Sequence, residues 1–409
     1  MQRISYLDGL RGIAAFIVVI SHFVYAFYPA LETGASSEIR TTSQIELWIV
    51  SSPLNIFYSG NLAVCIFFVL SGFVLTYGFF KTQNFELIVS IAIRRYFRLQ
   101  IPILFTILLT YGMMKCSLFC NQKIVQITQS TWWLGKCWNF ESNLIEVLKQ
   151  SFFYVLFDPT NSRNLYVGVM WTMPYEFVGS FLVFAGAMFL AGEKTRFFFY
   201  GVLLYVFVDS YFLAFFLGMI LADIYSYMSS NLLKIEPYWL KIGCLLLGLF
   251  CGTYPAVVAP GTIYDWMTIP WISHNESFFH IIGSFLILFS ILNSEMSQKL
   301  LSMRFPQFLG RISFSMYLLH TLVIGSTASY LFPLLLSTFT YFPAFVVTLV
   351  MNFLIIFILS ELMHRYVDNT AKRFSKLVYE VIRKRFLTSK NLNDHHNVSP
   401  NIKKLFSQA

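Results

Sequence analysis

At residues 6–12 the chain reads Tyr6-Leu7-Asp8-Gly9-Leu10-Arg11-Gly12, and it continues into an apolar segment that contains Ser21-His22-Phe23. The stretch therefore puts a cation and an imidazole on one membrane helix. Arg11 and His22 lie 11 positions apart, close to three helical turns, so their side chains project from a similar face, about 16 Å apart along the axis. An arginine can hold a phosphate or carboxylate, and a histidine can move a proton near neutral pH. The pattern predicts a charged donor at the mouth of the helix and acyl chemistry inside it.

Both residues also have a structural interpretation. Arg11 can be an interfacial charge that orients the helix, and His22 can hydrogen-bond a neighbouring helix. An ionisable side chain inside an apolar span is costly, however, so a functional role is the default hypothesis for the pair.

The composition is that of a polytopic membrane protein. Of the 409 residues, 57% are hydrophobic and 12% are charged, and there are 45 Phe, 23 Tyr and 8 Trp. We predict an all-α fold, a bundle of about ten transmembrane helices with both termini cytoplasmic. The 32-residue apolar run 197–228 is too long for one crossing of a hydrocarbon core of about 30 Å. We expect this run to break at Asp209-Ser210.

The net charge of +9 is concentrated near the C-terminus, because residues 364–409 contain ten Lys and Arg against three Asp and Glu. A basic segment directly after an apolar span is typical of a cytoplasmic, lipid-facing end rather than of a nucleic-acid-binding module. We divide the chain into a membrane domain, residues 1–375, and a basic, partly disordered cytoplasmic tail, residues 376–409. Membrane lipids are expected partners, and nucleic acid is not.

The six cysteines show no metal-binding pattern. Cys116, Cys120 and Cys137 fall in one predicted outer loop, residues 115–167, where at most one disulfide can form. Whether any of the three forms a bridge is left open by their spacing.

Further motifs place polar side chains at or inside apolar spans. They are Phe67-Phe68-Val69-Leu70-Ser71-Gly72-Phe73, Arg94-Arg95-Tyr96-Phe97-Arg98, Trp171-Thr172-Met173-Pro174-Tyr175-Glu176 and Gly310-Arg311-Ile312-Ser313-Phe314-Ser315-Met316-Tyr317-Leu318-Leu319-His320. Ser71 and Gly72 permit close helix approach.

Arg94, Arg95 and Arg98 are expected at the end of a loop, residues 81–98, before a span at about 101–114. They either anchor the chain on the cytoplasmic side or bind the phosphates of a nucleotide-containing donor.

Glu176 and His320 are ionisable groups within predicted spans. Glu176 needs a partner or a role, and an ion pair with an arginine is as well supported as a place in the site. We interpret His320 as a helix-packing or supporting group, because one base suffices and His22 has the stronger motif.

These motifs resemble those of the acyltransferase-3 family of membrane acyltransferases. That family has an LDGLRG-like start with an arginine or lysine about ten residues before a histidine, and an FFxLSGF-like second helix. It also has an RRxxRxxP run, a WxxxxE helix and a GxxSYxxYLxH signature. The resemblance extends to about residue 375.

The resemblance implies an O-acyltransferase of the bacterial inner (cytoplasmic) membrane. It would move an acyl group, with acetyl expected, from a cytoplasmic coenzyme A thioester to a hydroxyl of a cell-surface glycan or lipid-linked saccharide. Acetyl-CoA would be the donor substrate, and no cofactor or metal would be bound. The roles implied are His22 as general base or acyl relay, Glu176 as an orienting group, and Arg11, Arg94, Arg95 and Arg98 as ligands of the donor's charges, with Arg11 also catalytic. Asp8, Ser71, Tyr317 and His320 are expected to support the site.

A transporter or flippase of a lipid-linked saccharide is the alternative from another functional class. Intramembrane Arg, His and Glu would then line a translocation path instead of an active site.

Overall fold

The computed structural model describes residues 4–158, 164–230 and 238–397. Within these ranges the chain is helical and has no β-strand, which confirms the all-α prediction. The main helices are α1 (Ser5–Phe27), α2 (Gly60–Thr82), α3 (Phe85–Lys115), α4 (Met173–Leu190), α5 (Arg196–Val206), α6 (Phe212–Ser230), α7 (Tyr238–Cys251), α8 (Asn275–Asn293), α9 (Arg304–Val323), α10 (Tyr341–Met363) and α11 (Asn369–Asn397). Residues 398–409 of the predicted tail lie outside the described residues.

Short helical segments extend or connect the main helices. Gly168–Thr172 is a 3-10 turn that precedes α4, and π-helical turns at Ile324–Ala328 and His364–Asp368 continue α9 and α10. The remaining short helices are Ala30–Thr33, Ser36–Glu38, Ile45–Val50, Pro53–Tyr58, Asn121–Thr128, Leu144–Lys149, Gln150–Tyr154, Val155–Phe157, Ile263–Met267, Glu295–Leu301 and Ser329–Leu336.

Seven of the described helical segments are long and apolar enough to cross a membrane, and they contain α1 to α4 and α8 to α10. Three further apolar helical segments, within α5, α6 and α7, are shorter: Arg196–Val206, Phe212–Tyr227 and Tyr238–Cys251. Apolar helices therefore lie at each of the predicted spans. The number of crossings, and the cytoplasmic position of the termini, stay predictions.

The predicted break at Asp209-Ser210 is confirmed, since α5 ends at Val206 and α6 begins at Phe212. The Asp209 carboxylate accepts the backbone N–H groups of Ser273 at 3.0 Å and His274 at 2.9 Å. Partial burial acts to raise the pKa of Asp209, but these hydrogen bonds outweigh it and hold the pKa below its usual value. These hydrogen bonds thus connect the segment between α5 and α6 to the loop between α7 and α8.

Helix α3 begins earlier than predicted. Instead of a loop up to residue 98, the helix starts at Phe85, and its N-cap Asn84 accepts the backbone N–H of Glu86 at 2.9 Å. Arg94, Arg95 and Arg98 therefore lie on a helix. A run of charge before an apolar span is typical of a loop, but arginine is also a good helix former.

Helices α1 and α9 approach closely because both carry glycine at the contact. A Cβ atom at Gly12 would lie 2.3 Å from the backbone nitrogen of Gly310, closer than any side chain can come. The glycines of the first motif thus bring the face of α1 that carries Arg11 and His22 against the signature on α9.

Helix α2 is central and packs against α1, α3, α4, α6 and α8. A Cβ atom at Gly72 would lie 2.1 Å from the carbonyl oxygen of Phe215 on α6. The predicted close approach is confirmed for Gly72.

The C-terminal helix α11 continues from α10 through the π-helical turn and packs along α3. Arg383 Nε lies 2.8 Å from Glu86 Oε1 on α3. The described residues of the predicted tail, 376–397, are helical, and the partial disorder of the tail stays a prediction. All six cysteines are free thiols, including Cys116, Cys120 and Cys137.

Candidate active site

A cavity of about 590 Å³ lies beside the N-terminal half of α1, enclosed by α2, α3, α4, α9 and the start of α11. Its ionisable lining residues are Asp8, Arg11, Arg95, Arg98, Glu176, Arg311, His364, Asp368 and Lys372. Of the residues singled out from the sequence, Ser71 and Tyr317 also line it. The fold therefore gathers charges that are far apart in the sequence into one space.

Arg95 and Glu176 form an ion pair across the cavity wall between α3 and α4. Ser71 on α2 donates a hydrogen bond of 2.7 Å to the same carboxylate oxygen of Glu176. The sequence analysis left open whether Glu176 pairs with an arginine, and the structure shows that it pairs with Arg95. Glu176 also faces the cavity.

The cavity has an excess of positive charge. Five lining residues are Lys or Arg and three are Asp or Glu. Three cations other than Arg95 are also paired: Arg11 Nη1 with Asp8 Oδ1 at 3.4 Å, Arg311 Nη2 with Glu361 Oε2 at 3.1 Å, and Lys372 Nζ with Asp368 Oδ2 at 2.5 Å. An anionic group in the cavity would balance the excess.

Arg98 is the lining cation for which no carboxylate lies within ion-pair distance among the described residues. Its side chain is exposed, and it lines the cavity. Arg95 and Arg11 are close enough to repel it electrostatically, and Asp368 attracts it more weakly. A bound phosphate would relieve this repulsion, so Arg98 is the best-placed anion ligand.

Arg94 is placed differently. Its Nε donates to the carbonyl oxygen of Ser90 on the same helix at 2.9 Å, and it does not line the cavity. The three arginines thus do not share one face of α3. Arg95 and Arg98 face the cavity, and Arg94 does not.

His22 and His320 meet where α1 and α9 face each other. His320 Nε2 lies 3.3 Å from His22 Nδ1, and each Nδ1 contacts a carbonyl oxygen of its own helix, Val18 at 2.8 Å and Met316 at 3.0 Å. A carbonyl oxygen can only accept, so both Nδ1 atoms carry the hydrogen and both Nε2 atoms carry the lone pair. Since His320 Nε2 faces the His22 N–H, His22 Nε2 is the nitrogen placed to accept a proton.

The two histidines differ in accessibility. His320 is fully buried, with 0% of its surface exposed, whereas His22 is partly exposed. His22 is therefore the more accessible of the two imidazoles, and its tautomer is fixed by the Val18 carbonyl oxygen.

A family model described as an acyltransferase domain matches residues 4–361. The chain belongs to the acyltransferase-3 family. The matched range includes α1 to α9 and therefore both histidines and most of the cavity lining.

Two relatives of this acyltransferase are similar over most of its length. The O-acetyltransferase PaAT-1 of Phomopsis amygdali is 25% identical over 449 aligned positions, covering 93% of this chain and 85% of the relative. The acyltransferase clz18 of Cochliobolus lunatus is 22% identical, covering 80% of this chain and 84% of the relative. No solved structure matches the chain. The family and these relatives support an acyltransferase.

Tyr317 links the cavity of this acyltransferase to the histidine pair. It lines the cavity, and its ring centroid lies 6.0 Å from that of His320. Its hydroxyl donates to the carbonyl oxygen of Val169 at 2.6 Å and lies 2.7 Å from the Thr172 hydroxyl. These contacts hold Tyr317 between the charged space and the imidazoles.

Aromatic residues cover His22 on its other side. The Trp133 ring lies 5.2 Å and the Tyr25 ring 5.4 Å from the His22 ring, and Trp132 lies 5.7 Å from Tyr25. The loop after α3 therefore folds back onto α1.

Arg311 and Lys372 line the cavity but were not predicted as site residues. Arg311 follows Gly310, whose close contact with α1 was visible only in the structure. Lys372 lies four residues after Asp368. This spacing is typical of an ion pair along a helix and could have predicted the contact between the two side chains.

Proposed function

We propose that this acyltransferase moves an acyl group, with acetyl expected, from a coenzyme A thioester to a hydroxyl of its acceptor. The observation that carries the proposal is a positively charged cavity that ends at Tyr317, next to the His22–His320 pair. A donor held by its phosphates in the cavity can direct its thioester toward the imidazoles.

The proposed donor site is centred on Arg98, with Arg11, Arg311 and Lys372 around it. Guanidinium groups bind phosphates bidentately, and coenzyme A carries several phosphate charges. The cavity of about 590 Å³ falls within the range of about 300–1,000 Å³ for small-molecule sites. No resident cofactor is required by this proposal.

In the proposed reaction, His22 Nε2 removes the proton of the acceptor hydroxyl as its oxygen attacks the thioester carbonyl carbon. The carbon–sulfur bond then breaks, and the proton passes from His22 to the coenzyme A sulfur. Atoms and charge balance, because the hydroxyl proton leaves on the thiol. The Val18 carbonyl oxygen accepts from His22 Nδ1 and so keeps the lone pair on Nε2, and His320 Nε2 lies close enough to share the same hydrogen.

We further propose a cell-surface glycan or lipid-linked saccharide as the acceptor and the bacterial cytoplasmic membrane as the location. Cations gathered around the cavity support entry of the donor from the cytoplasm, since positive residues favour that side. Trp132, Trp133 and Tyr25 supply aromatic faces near His22 that suit packing against a sugar ring.

Turnover of purified protein with acetyl-CoA tests the proposal. Free thiol is measured with and without a lipid and glycan extract of the source cells, and products are identified by mass spectrometry. We expect thiol release that depends on the extract, together with an acetylated product. Counterflow of labelled saccharide in proteoliposomes without thiol release would instead favour a transporter.

A further inference from the structure

A second polar pocket lies at the other end of α1, one helical turn beyond His22. Its volume is about 20 Å³, which is room for a water molecule or one small polar group. Its polar lining includes Tyr25, Glu32, Asn55, Asn61, Glu276 and His280. None of these residues belongs to the donor cavity described above.

Several hydrogen-bonding atoms of the pocket lack a partner among the described residues. Asn55 is 6% exposed, and its Oδ1 has no partner, whereas its Nδ2 donates to the carbonyl oxygen of Thr253 at 2.6 Å. His280 is 2% exposed, its ring nitrogens have no hydrogen-bond partner, and Nδ1 lies 3.7 Å from Glu276 Oε1. Buried polar atoms are rarely left unpaired, so Asn55 Oδ1 and the lone-pair nitrogen of His280, which both accept, indicate that a ligand with hydrogen-bond donors completes the pocket.

The pocket also places two carboxylates close together, and one of them, Glu32, holds a proton near neutral pH. Burial, and secondly the neighbouring Glu276 carboxylate, raises the pKa of Glu32 to about 8. Glu276 accepts a hydrogen bond of 3.0 Å from Asn61, a neutral partner. No Lys or Arg is found among the described residues that line the pocket. A cation placed here would stabilise both carboxylates.

We propose that this pocket binds a protonated primary amine of the acceptor. An ammonium group brings three N–H donors and no acceptor, which matches the oxygens of Glu32, Glu276 and Asn55. Tyr25 lines the pocket, and its ring centroid lies 5.4 Å from that of His22. An acceptor that holds its amine in the pocket can therefore extend past Tyr25 and bring a hydroxyl toward His22, as an amino sugar would. This assignment of the acceptor class rests on the proposed function.

Ligand-induced stabilisation tests the pocket without any acyl transfer. The melting temperature of purified wild-type protein is measured in detergent, without acetyl-CoA, against glucosamine hydrochloride, glucose and sodium chloride. We expect a saturable rise with glucosamine and a much smaller one with glucose or the salt, because the three probes separate the ammonium from the sugar ring and from inorganic cations.

Isosteric variants then locate the site. Glu276→Gln and Glu32→Gln should each weaken the apparent glucosamine affinity about tenfold or more, since a hydrogen bond to a charged group is lost. Glu38→Gln is the matched control, because Glu38 lies in the same loop, accepts from Thr33 at 2.6 Å and does not line the pocket. It should leave the glucosamine affinity unchanged.

Equal responses to glucose and glucosamine would overturn the proposal. A response to sodium chloride equal to that to glucosamine would also overturn it, because the pocket would then be a site for inorganic cations. An unchanged affinity in both glutamine variants would place glucosamine elsewhere. The wild-type comparison decides the question even if a variant folds poorly. Binding without turnover would count against the proposed function alone, and turnover without amine binding would count against this inference alone.

Discussion

At its N-terminal end α1 borders a cavity in which five Lys and Arg face three Asp and Glu. At its C-terminal end it borders a pocket with two glutamates and, among the described lining residues, no Lys or Arg. The histidine pair lies between them on the same helix. The contrast teaches that one helix can separate a region rich in cations from one that contains only carboxylates as charged groups among its described lining, with the histidine pair between them.

The two regions also differ in how they are assembled. The cavity draws mainly on helices whose motifs are evident in the sequence, such as those that carry Arg11 and Glu176. The acidic pocket draws on a loop residue, Glu32, and on Glu276 at the start of α8, in a segment where the sequence shows no specific spacing.

Removing the base between the regions should have the largest effect. We expect His22→Ala to lower the rate of acyl transfer by ~10²–10⁴, the usual range for loss of a general base. The glucosamine-induced rise in melting temperature should persist, since the carboxylates remain. His274→Ala is the control, because His274 is exposed and contacts Asp209 only through its backbone N–H. Wild-type turnover in folded His22→Ala protein would contradict the role of His22.

Arg98 and Arg94 provide a matched pair within one helix. Arg98→Ala should raise the apparent KM for acetyl-CoA by about 10–100-fold, because a charge-assisted hydrogen bond to phosphate is lost. Arg94→Ala should change it little, since Arg94 bonds its own helix outside the cavity. Steady-state kinetics at saturating acceptor measure both values. Similar KM values in the two variants would remove the distinction between cavity-facing and outward arginines.

The smallest expected effect concerns stability and pH. The pKa of Glu32 rises from 4.5 to about 8 in the folded protein, so the folded state holds a proton that the unfolded chain releases at lower pH. Its stabilising contribution is complete below the unfolded pKa and is lost as pH rises toward 8. Glu32→Gln should therefore show a shallower fall in melting temperature over that window than wild type or Glu38→Gln, as measured by thermal denaturation. Identical slopes in all three proteins would contradict the shifted pKa.

Several structural features followed from local sequence. The apolar runs marked the helices, and the length of the run at 197–228 predicted its break at Asp209. The motif at Ser71-Gly72 predicted a close helix contact, which Gly72 makes with α6. The start of α3 was missed, because charge alone does not distinguish a loop from the polar end of a long helix.

Parts of the candidate site could not have been predicted in the same way. Arg94 and Arg98 belong to one motif, yet only Arg98 faces the cavity, because the rotation of a helix is set by its neighbours. The sequence predicts His320 as a helix-packing or supporting group, but its 3.3 Å contact with His22 depends on how closely α1 and α9 approach.

The sequence by itself determined that the protein is helical, membrane-embedded and similar to one acyltransferase family, because hydropathy and short motifs are properties of contiguous residues. Only the tertiary structure decided which charges meet. Distances between helices depend on contacts such as Gly12 against Gly310 and on the rotation of each helix about its axis. These quantities arise from packing across the whole bundle, which no single stretch of the chain encodes.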